Sequence, residues 1–288
     1  MIFNKLTLKK RRMIWGILFI SPAFIFFLIF NTYPMINAFY TSLFKYDLIH
    51  KNFILFKNYA DLLTSKLFLK SLMVTGFFVF GAAIFTWVLA FILALILRSK
   101  FLFRDLFRAI YFLPNVMSLI ALSIIWKVVL QPYGPLNAIL GLQINWLTDN
   151  RFAMLGIIIL AVWRGTGYYM VMYLAGLQAI PQEYYEAARL DGANQWRLFR
   201  HITIPLMKPV LLFVIIIFII TAVKSFEPMY IMTGGGPNNA TKVLTYMIYE
   251  TGFKYLEMGK ASAMSIIMFA ILLIFAVFQI RIFRSEES

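Results

Sequence analysis

The sequence predicts an all-α integral membrane protein with six transmembrane helices, and three observations lead to that prediction. Of the 288 residues, 62% are hydrophobic and only 14% are charged, and the mean hydropathy is +0.81. One soluble core cannot bury so much apolar surface. The apolar residues form runs close to the roughly 20 residues that a helix needs to cross a bilayer. Arginine is concentrated in alternate connecting segments, as expected for a chain that crosses a membrane repeatedly.

Six apolar segments are predicted to be the membrane spans. They are residues 13–30, 73–97, 109–130, 152–174, 210–223 with an extension toward Tyr230, and 261–280. In lipid every backbone amide must be bonded within the chain, so each segment is expected to be helical. The fifth is the least regular, because Lys224, Glu227 and Pro228 interrupt it.

The first segment has one alternative interpretation, a cleaved signal peptide. Basic residues precede its apolar run, as they do in signal peptides. The run is longer than the usual length of about 7 to 15 residues, and no small-x-small cleavage pattern follows it. An uncleaved first helix is therefore the preferred interpretation.

Arginine placement predicts that both termini are cytoplasmic. Ten arginines fall in the N-terminal tail, residues 98–108, the loop 181–209 and the C-terminal tail, whereas the opposite loops hold only Arg151. Those opposite loops do carry several lysines, so the asymmetry rests mainly on arginine. The predicted organisation is a basic cytoplasmic tail and first helix (1–30), an external segment (31–70), a five-helix core (71–280) containing the loop 181–209, and a cytoplasmic tail (281–288).

Composition argues against several classes of function. The net charge of +15 is distributed over the segments that topology places in the cytoplasm, so it does not indicate a nucleic-acid partner. Cysteine is absent, and His50 and His201 are isolated, so no metal site is predicted. The polar residues form no convergent acid, base and nucleophile, which argues against an enzyme.

Two further absences concern transport energetics. No G-x-x-x-x-G-K-[ST] phosphate-binding loop occurs, so the chain itself is not expected to bind ATP. Ion-coupled carriers usually place carboxylates within their spans, and Glu227, near the outer end of the fifth span, is the only candidate. A secondary transporter or channel subunit remains an alternative function, with proton coupling disfavoured.

The polar stretch EYYEAARLDGANQW, residues 183–196, lies between the fourth and fifth spans and predicts a helical hairpin. Pro181 suits a helix start, and the run 182–190 contains good helix formers. Gly192 suits a turn with positive φ, and a second short helix is expected over residues 193–201. The hairpin is therefore predicted to project from the membrane on the cytoplasmic side.

The composition of this hairpin is typical of a docking surface. Trp196 and Phe199 are three residues apart and are expected to share a helix face. Small residues on the first helix leave its backbone approachable. Pro205 and Pro209 are expected to separate the hairpin from the next span. The alternative is an amphipathic loop that lies on its own membrane domain.

The same residues resemble a known motif. From Glu186 the order is Glu-Ala-Ala, three residues, Gly192, nine residues, Ile202, one residue, Ile204 and Pro205. This order resembles the EAA loop of permease subunits in bacterial binding-protein-dependent ABC importers. One position departs from the family pattern, since Ile204 stands where leucine is usual.

Two other stretches extend the resemblance. MTGGGPNNAT, residues 232–241, and YFLPNVMSLIALSIIWKVV on the third span look like segments of sugar-importer permeases of the maltose and glycerol-phosphate type. The similarity covers about residues 60 to 280. The three glycines of the first stretch are expected to form an irregular external loop that allows close backbone approach.

The resemblance implies the type I ABC importer permease fold in a multi-pass protein of the bacterial plasma membrane. It also implies an assembly with a second, homologous permease subunit, two ABC ATPase subunits, and an extracellular or periplasmic solute-binding protein. ATP and Mg²⁺ would be bound by the ATPase subunits, and this chain would bind no cofactor. The hairpin would couple the pore to the ATPase through Glu186, Ala187, Ala188, Gly192 and Pro205. In that arrangement Glu186 would pair with a basic ATPase residue.

The stretch WRGTGYYM, residues 163–170, marks a candidate substrate pathway. Polar atoms within a span should face the bundle interior or water, and aromatic rings suit the C–H face of a sugar. The resemblance implies that Gly165, Tyr168 and Ser225 lie beside the sugar, whereas Ala222 replaces a polar contact of the maltose system. Chemistry adds nearby aromatic and cationic residues. The full set of candidates is Trp163, Arg164, Gly165, Tyr168, Lys224 and Ser225. The alternative is structural, with the aromatic residues at a bilayer interface and Arg164 in an ion pair within the bundle.

Overall fold

The computed structural model describes residues 7–99 and 101–284, and within them the fold is almost entirely helical. The α-helices are α1 (Leu8–Phe27), α2 (Tyr33–Ser42), α3 (Lys57–Thr64), α4 (Lys66–Arg98), α5 (Arg104–Val116), α6 (Leu119–Val129), α7 (Pro135–Leu140), α8 (Ala153–Ala179), α9 (Gln182–Leu190), α10 (Gln195–Leu198), α11 (Ile204–Lys224), α12 (Leu244–Tyr249) and α13 (Met258–Arg284). Strands β1 (Phe44–Tyr46) and β2 (Lys51–Phe53) form an antiparallel hairpin. Short π-helical segments occupy Leu28–Thr32, Phe199–Thr203, Met229–Thr233 and Glu250–Lys254. The ends of both predicted tails, residues 1–6 and 285–288, lie outside the described residues.

All six predicted apolar segments fall on helices. Five helical stretches among the described residues are long and apolar enough to cross a bilayer: 8–42, 66–98, 153–179, 195–233 and 258–281. The third predicted segment is instead a pair, α5 and α6, bent by 98°. Met117 and Ser118 have extended backbone at the bend, and Pro114 in the last turn of α5 has no N–H to continue the helix. Hydropathy alone does not reveal such a bend.

The predicted separation of the hairpin from the fifth span is wrong. Helix α11 begins at Ile204, and Pro205 lies in its first turn, directly after a π-helical segment. Pro209 lies inside the same helix. The short helix predicted over residues 193–201 is α10, which runs on without interruption through the π-helical segment into α11. The hairpin therefore ends in a transmembrane helix rather than in a separate linker.

The described residues belong to two compact units. One comprises the described part of Met1–Thr64 with Ile248–Phe269, and the other comprises the described part of Ser65–Met247 with Ala270–Ser288. In the first unit, Asn58 of α3 donates to the carbonyl oxygens of Ser42 (2.7 Å) and Phe44 (2.9 Å). These bonds attach α3 to the end of α2 and the start of β1.

Helix α8 is the centre of the second unit, because it packs against α4, α5 and α11. Ala82 and Ala90 of α4 and Leu160 and Met170 of α8 are fully buried. Gly167 allows the close approach of α5, since a Cβ there would collide with the backbone of Tyr111. This packing positions both candidate sites described below, which lie within this unit.

Candidate functional site

The first limb of the hairpin is α9, and it ends in the turn that the sequence predicts. Gly192 has φ of +81°, in the left-handed region that favours glycine. The N–H of Ala193 donates to the carbonyl of Ala188 (2.9 Å), and the N–H of Gly192 donates to that of Arg189 (3.0 Å). These bonds satisfy carbonyls that a helix C-terminus leaves unpaired. At the second limb, the Asn194 side chain accepts from the N–H of Arg197 (2.9 Å) and caps α10.

The residues implied in ATPase coupling lie mostly on the exposed side of this hairpin. Glu186, Ala187 and Gly192 are exposed, and Ala188 is half-buried. Pro205 is also exposed, but it lies in α11 beyond the hairpin. Within the part of the chain that the structure describes, Glu186 has no ion-pair partner. Its carboxylate is therefore open to a partner from another molecule.

The buried side of the hairpin contains a residue that the sequence interpretation missed. Tyr185 is only 5% exposed, and its hydroxyl contacts Arg98 Nη1 and Thr203 Oγ1, both at 3.0 Å. Phe199 stacks on Trp196 with ring centroids 5.7 Å apart, so these two residues share a face as predicted. Phe199 also approaches Phe91 of α4, with centroids 6.2 Å apart. The signal that could have found Tyr185 is an aromatic residue directly beside an exposed acid on an amphipathic helix.

A second site is a cavity of about 270 Å³ among α4, α8 and α11. Its lining residues are Phe78, Ala82, Leu119, Leu160, Ala161, Arg164, Gly165, Tyr169, Phe218, Thr221, Ala222, Lys224, Ser225, Glu227 and Pro228. Four of the six sequence-predicted pathway residues are brought together here, namely Arg164, Gly165, Lys224 and Ser225. The helix α8 contributes the first two, and the end of α11 contributes the others.

The cavity is lined by hydroxyl groups and by charged groups of both signs. Tyr169 and Thr221 join their hydroxyls at 3.3 Å, and Thr221 also donates to the carbonyl of Ile217. Arg164 Nη2 lies 3.5 Å from the carbonyl oxygen of Asn115, while its Nε is buried without a partner. Glu227 accepts from the N–H of Phe226 (3.2 Å). The cavity thus offers hydrogen-bond donors, acceptors and aromatic rings to a polar ligand.

The other two predicted pathway residues are not part of the cavity lining. Trp163 lines a separate apolar cavity of about 780 Å³ and packs against Trp126, with ring centroids 5.5 Å apart. Tyr168 is half-buried, and its ring meets that of Tyr169 edge-on at 5.1 Å. The adjacent Tyr169 and also Thr221, neither of which the sequence singled out, line the cavity instead. Helical period separates Tyr168 and Tyr169 by about 100° and so places them on different faces.

The segment 232–241 forms the irregular loop that its glycines predict. Gly234 and Gly235 both have positive φ, and a Cβ on Gly235 would collide with the ring of Tyr246. Thr241 donates to the carbonyl of Gly236 (2.9 Å), and Lys70 donates to that of Asn238 (2.7 Å). The loop is therefore fixed by its own bonds and by the start of α4.

Among the described residues, no three His, Cys, Asp or Glu side chains lie close enough together to hold a metal ion. The cavity beside α8 contains one carboxylate, Glu227, and no histidine. Its chemistry is that of hydrogen bonding and charge rather than of metal ligation.

Comparisons with known proteins agree with this architecture. Residues 86–285 match the family described as "Binding-protein-dependent transport system inner membrane component". The trehalose/maltose transport system permease protein MalF of Thermococcus litoralis is 35% identical over 99% of each chain. The lactose transport system permease protein LacF of Rhizobium radiobacter is 35% identical over 88% of each chain. A bacterial ABC transporter involved in import of the acidic polysaccharide alginate contains a chain of the same fold, with a TM-score of 0.83 at 23% identity over 96% of this chain and 97% of that one.

Proposed function

The chain belongs to the family of inner membrane components of binding-protein-dependent transport systems, and we propose that it forms half of the pathway of an ATP-driven oligosaccharide importer. It is a multi-pass membrane protein and an ABC transporter permease, as its resemblance to that family predicted. No comparison supports the alternative of a secondary transporter or channel subunit.

The observation that carries the sugar assignment is the cavity beside α8. It combines the ring of Tyr169 with the hydroxyl of Thr221 and the charged groups of Arg164, Lys224 and Glu227. A sugar needs a surface for its C–H face and fixed partners for its hydroxyls, and this cavity provides both. The relatives named for trehalose, maltose and lactose transport support the same class of solute.

Within this proposal the candidate residues have distinct roles. Arg164, Gly165, Tyr169, Lys224 and Ser225 line this chain's half of the pathway. Tyr168 and Trp163 act outside this cavity, where Tyr168 supports the ring of Tyr169. A second permease subunit supplies the other half.

The hairpin supplies the coupling. Glu186, Ala187, Ala188 and Gly192 form the surface that docks into an ATPase subunit, and Pro205 begins the helix behind it. The exposed carboxylate of Glu186 pairs with a basic residue of that subunit, a contact strengthened by charge. Two ATPase subunits bind ATP and Mg²⁺, and an external solute-binding protein delivers the sugar. The hydrolysis of ATP belongs to those subunits and not to this chain.

Reconstitution tests the proposed function. The complex of both permease subunits and the ATPase is inserted in proteoliposomes, and uptake of labelled oligosaccharides is measured with and without ATP and the binding protein. We expect uptake that requires both, and no ATP hydrolysis by this chain alone. Uptake that proceeds without ATP, or that follows an imposed proton gradient, contradicts the proposal.

A further inference from the structure

The hairpin has a buried side whose contacts lead away from the ATPase and toward the membrane helices. Tyr185 is 5% exposed and Tyr184, its neighbour in α9, is 55% exposed. Glu186, the next residue, is exposed. One turn of helix thus presents a carboxylate outward and a tyrosine ring inward.

The hydroxyl of Tyr185 joins three separate elements. Arg98, the last residue of α4, donates to it through Nη1 at 3.0 Å, and the guanidinium lies over the tyrosine ring with its carbon 4.6 Å from the centroid. The same hydroxyl lies 3.0 Å from Thr203 Oγ1, at the last position of the π-helical segment before α11. Accepting from Arg98, the hydroxyl is free to donate to Thr203. The result is a relay from α4 through α9 to the start of α11.

The cytoplasmic end of α4, as the topology predicts it, is a junction for further elements. Arg108 of α5 donates through Nη2 to the carbonyl of Leu97 at 2.9 Å. Phe199 of the hairpin's second limb packs against Phe91, about two turns of α4 before Arg98. The final residues of α4 therefore contact both limbs of the hairpin and α5. Among these contacts, the hydrogen bond between Arg98 and Tyr185 joins α4 to α9, the helix that carries Glu186.

We propose that Tyr185 is the positioning residue that transmits displacement of the ATPase-docked hairpin to the end of α4 and to the start of α11 through its hydroxyl. This inference rests on the proposed function, since it assigns a route for the coupling that the hairpin begins. A bond to a charged donor is stronger than one between neutral groups. Because the hydroxyl is buried, its removal leaves Arg98 and Thr203 without their shared partner. Movement of α9 would then no longer be followed closely by α4.

The test uses the complete reconstituted complex, with Tyr185→Phe compared against Tyr184→Phe. Both changes remove one phenolic hydroxyl from α9, but only the first removes a bond to Arg98 and Thr203. We expect Tyr185→Phe to assemble normally with the ATPase and to raise the ATP hydrolysed per oligosaccharide imported about fivefold. Tyr184→Phe should leave that ratio unchanged. An unchanged ratio in Tyr185→Phe, with wild-type levels of complex, overturns the proposal.

A second pair of variants keeps the test decisive if Tyr185→Phe fails to accumulate. Thr203→Val removes the hydroxyl partner, whereas Thr203→Ser retains it. We expect Thr203→Val to raise the ATP-to-solute ratio and Thr203→Ser to restore it, a rescue that a purely structural role of the methyl group would not produce. Equal ratios in the two variants contradict the relay. A wild-type complex without ATP-dependent uptake contradicts the proposed function instead, so the two failures are distinguishable.

Discussion

The hairpin and helix α8 each contain two adjacent tyrosines, and in each pair the second is buried and bonded to a threonine. Tyr185 contacts Thr203 at the start of α11, and Tyr169 contacts Thr221 near its end. The pairs differ in their surroundings. The chain around Tyr185 is polar, with Glu183, Glu186 and Arg189 all exposed, whereas the chain around Tyr169 is mostly apolar. A polar pattern indicates which face of α9 is free, but a uniformly apolar helix carries little such information. The following variants test this difference between a surface site and an interior one.

Glu186→Lys should have the largest effect. The change removes the exposed carboxylate and adds repulsion toward a basic ATPase residue, so we expect the loss of about 2 to 5 kcal/mol of docking free energy and of nearly all uptake. ATPase co-purification and sugar uptake at matched membrane levels measure it. Glu183 is the acid in the first turn of α9, and Glu183→Lys is the control. It should retain both ATPase co-purification and sugar uptake. If Glu186→Lys retains them too, the hairpin is not the coupling element.

Gly167→Ala should disturb the interior more than Gly165→Ala does. A Cβ at position 167 would collide with the backbone of Tyr111, which no side-chain rotation relieves, whereas at position 165 it would make ordinary contacts with Thr86 (3.4 Å) and Tyr169 (3.6 Å). We expect Gly167→Ala to lower the free energy of unfolding by about 1 to 3 kcal/mol. Thermal unfolding in detergent compares the two variants, and equal midpoints would show that α5 and α8 are not in such close contact.

Gly192→Val isolates a conformational effect at the surface. The space around Gly192 is open, since a Cβ there would meet no atom within 4 Å, but its φ of +81° is unfavourable for a β-branched residue. We expect a cost of about 1 to 2 kcal/mol in forming the turn, seen as weaker ATPase co-purification. Gly192→Asn adopts positive φ more readily and should bind the ATPase better than the valine variant. The reverse order would indicate that side-chain size at the docking surface matters more than the turn.

Tyr169→Phe and Tyr168→Phe should have the smallest and most local effects. The first removes a hydroxyl that lines the cavity and contacts Thr221. We expect the loss of a hydrogen bond worth about 1 kcal/mol, which would lower sugar-dependent uptake roughly fivefold. The second should change uptake less. The concentration dependence of uptake separates the two, with ATPase assembly as the control. A larger effect at Tyr168 would indicate that its hydroxyl faces the pathway at the boundary with the second permease subunit.

Much of the fold could be predicted from the sequence because it depends on local or regular signals. The apolar runs follow from the bilayer's thickness, and the turn at Gly192 follows from its backbone freedom. The bend between α5 and α6 was missed because it lies inside one continuous apolar run. Pro205 is predicted to be a boundary because proline disfavours a helix interior, but the structure includes both Pro205 and Pro209 in α11.

The cavity was harder to predict, for a different physical reason. Whether Tyr168 or Tyr169 faces it depends on the rotation of α8 about its own axis. That rotation is fixed by distant contacts such as the close approach of Gly167 to α5. Arg164, Gly165, Lys224 and Ser225 were identified from residue type and resemblance. Thr221 gave no signal, because a single hydroxyl in a long apolar helix usually bonds to its own backbone.

Because α10 continues without a break into α11, the hairpin's second limb and a membrane helix form one rod. Between Gln195 and Lys224 that rod is about 45 Å long at a rise of 1.5 Å per residue. A tilt of about 5° at the hairpin end would displace the other end by about 4 Å, which is larger than a hydrogen bond is long. Lys224 and Ser225 stand at that far end, so under the proposed function a small rotation of the hairpin would change their positions in the cavity.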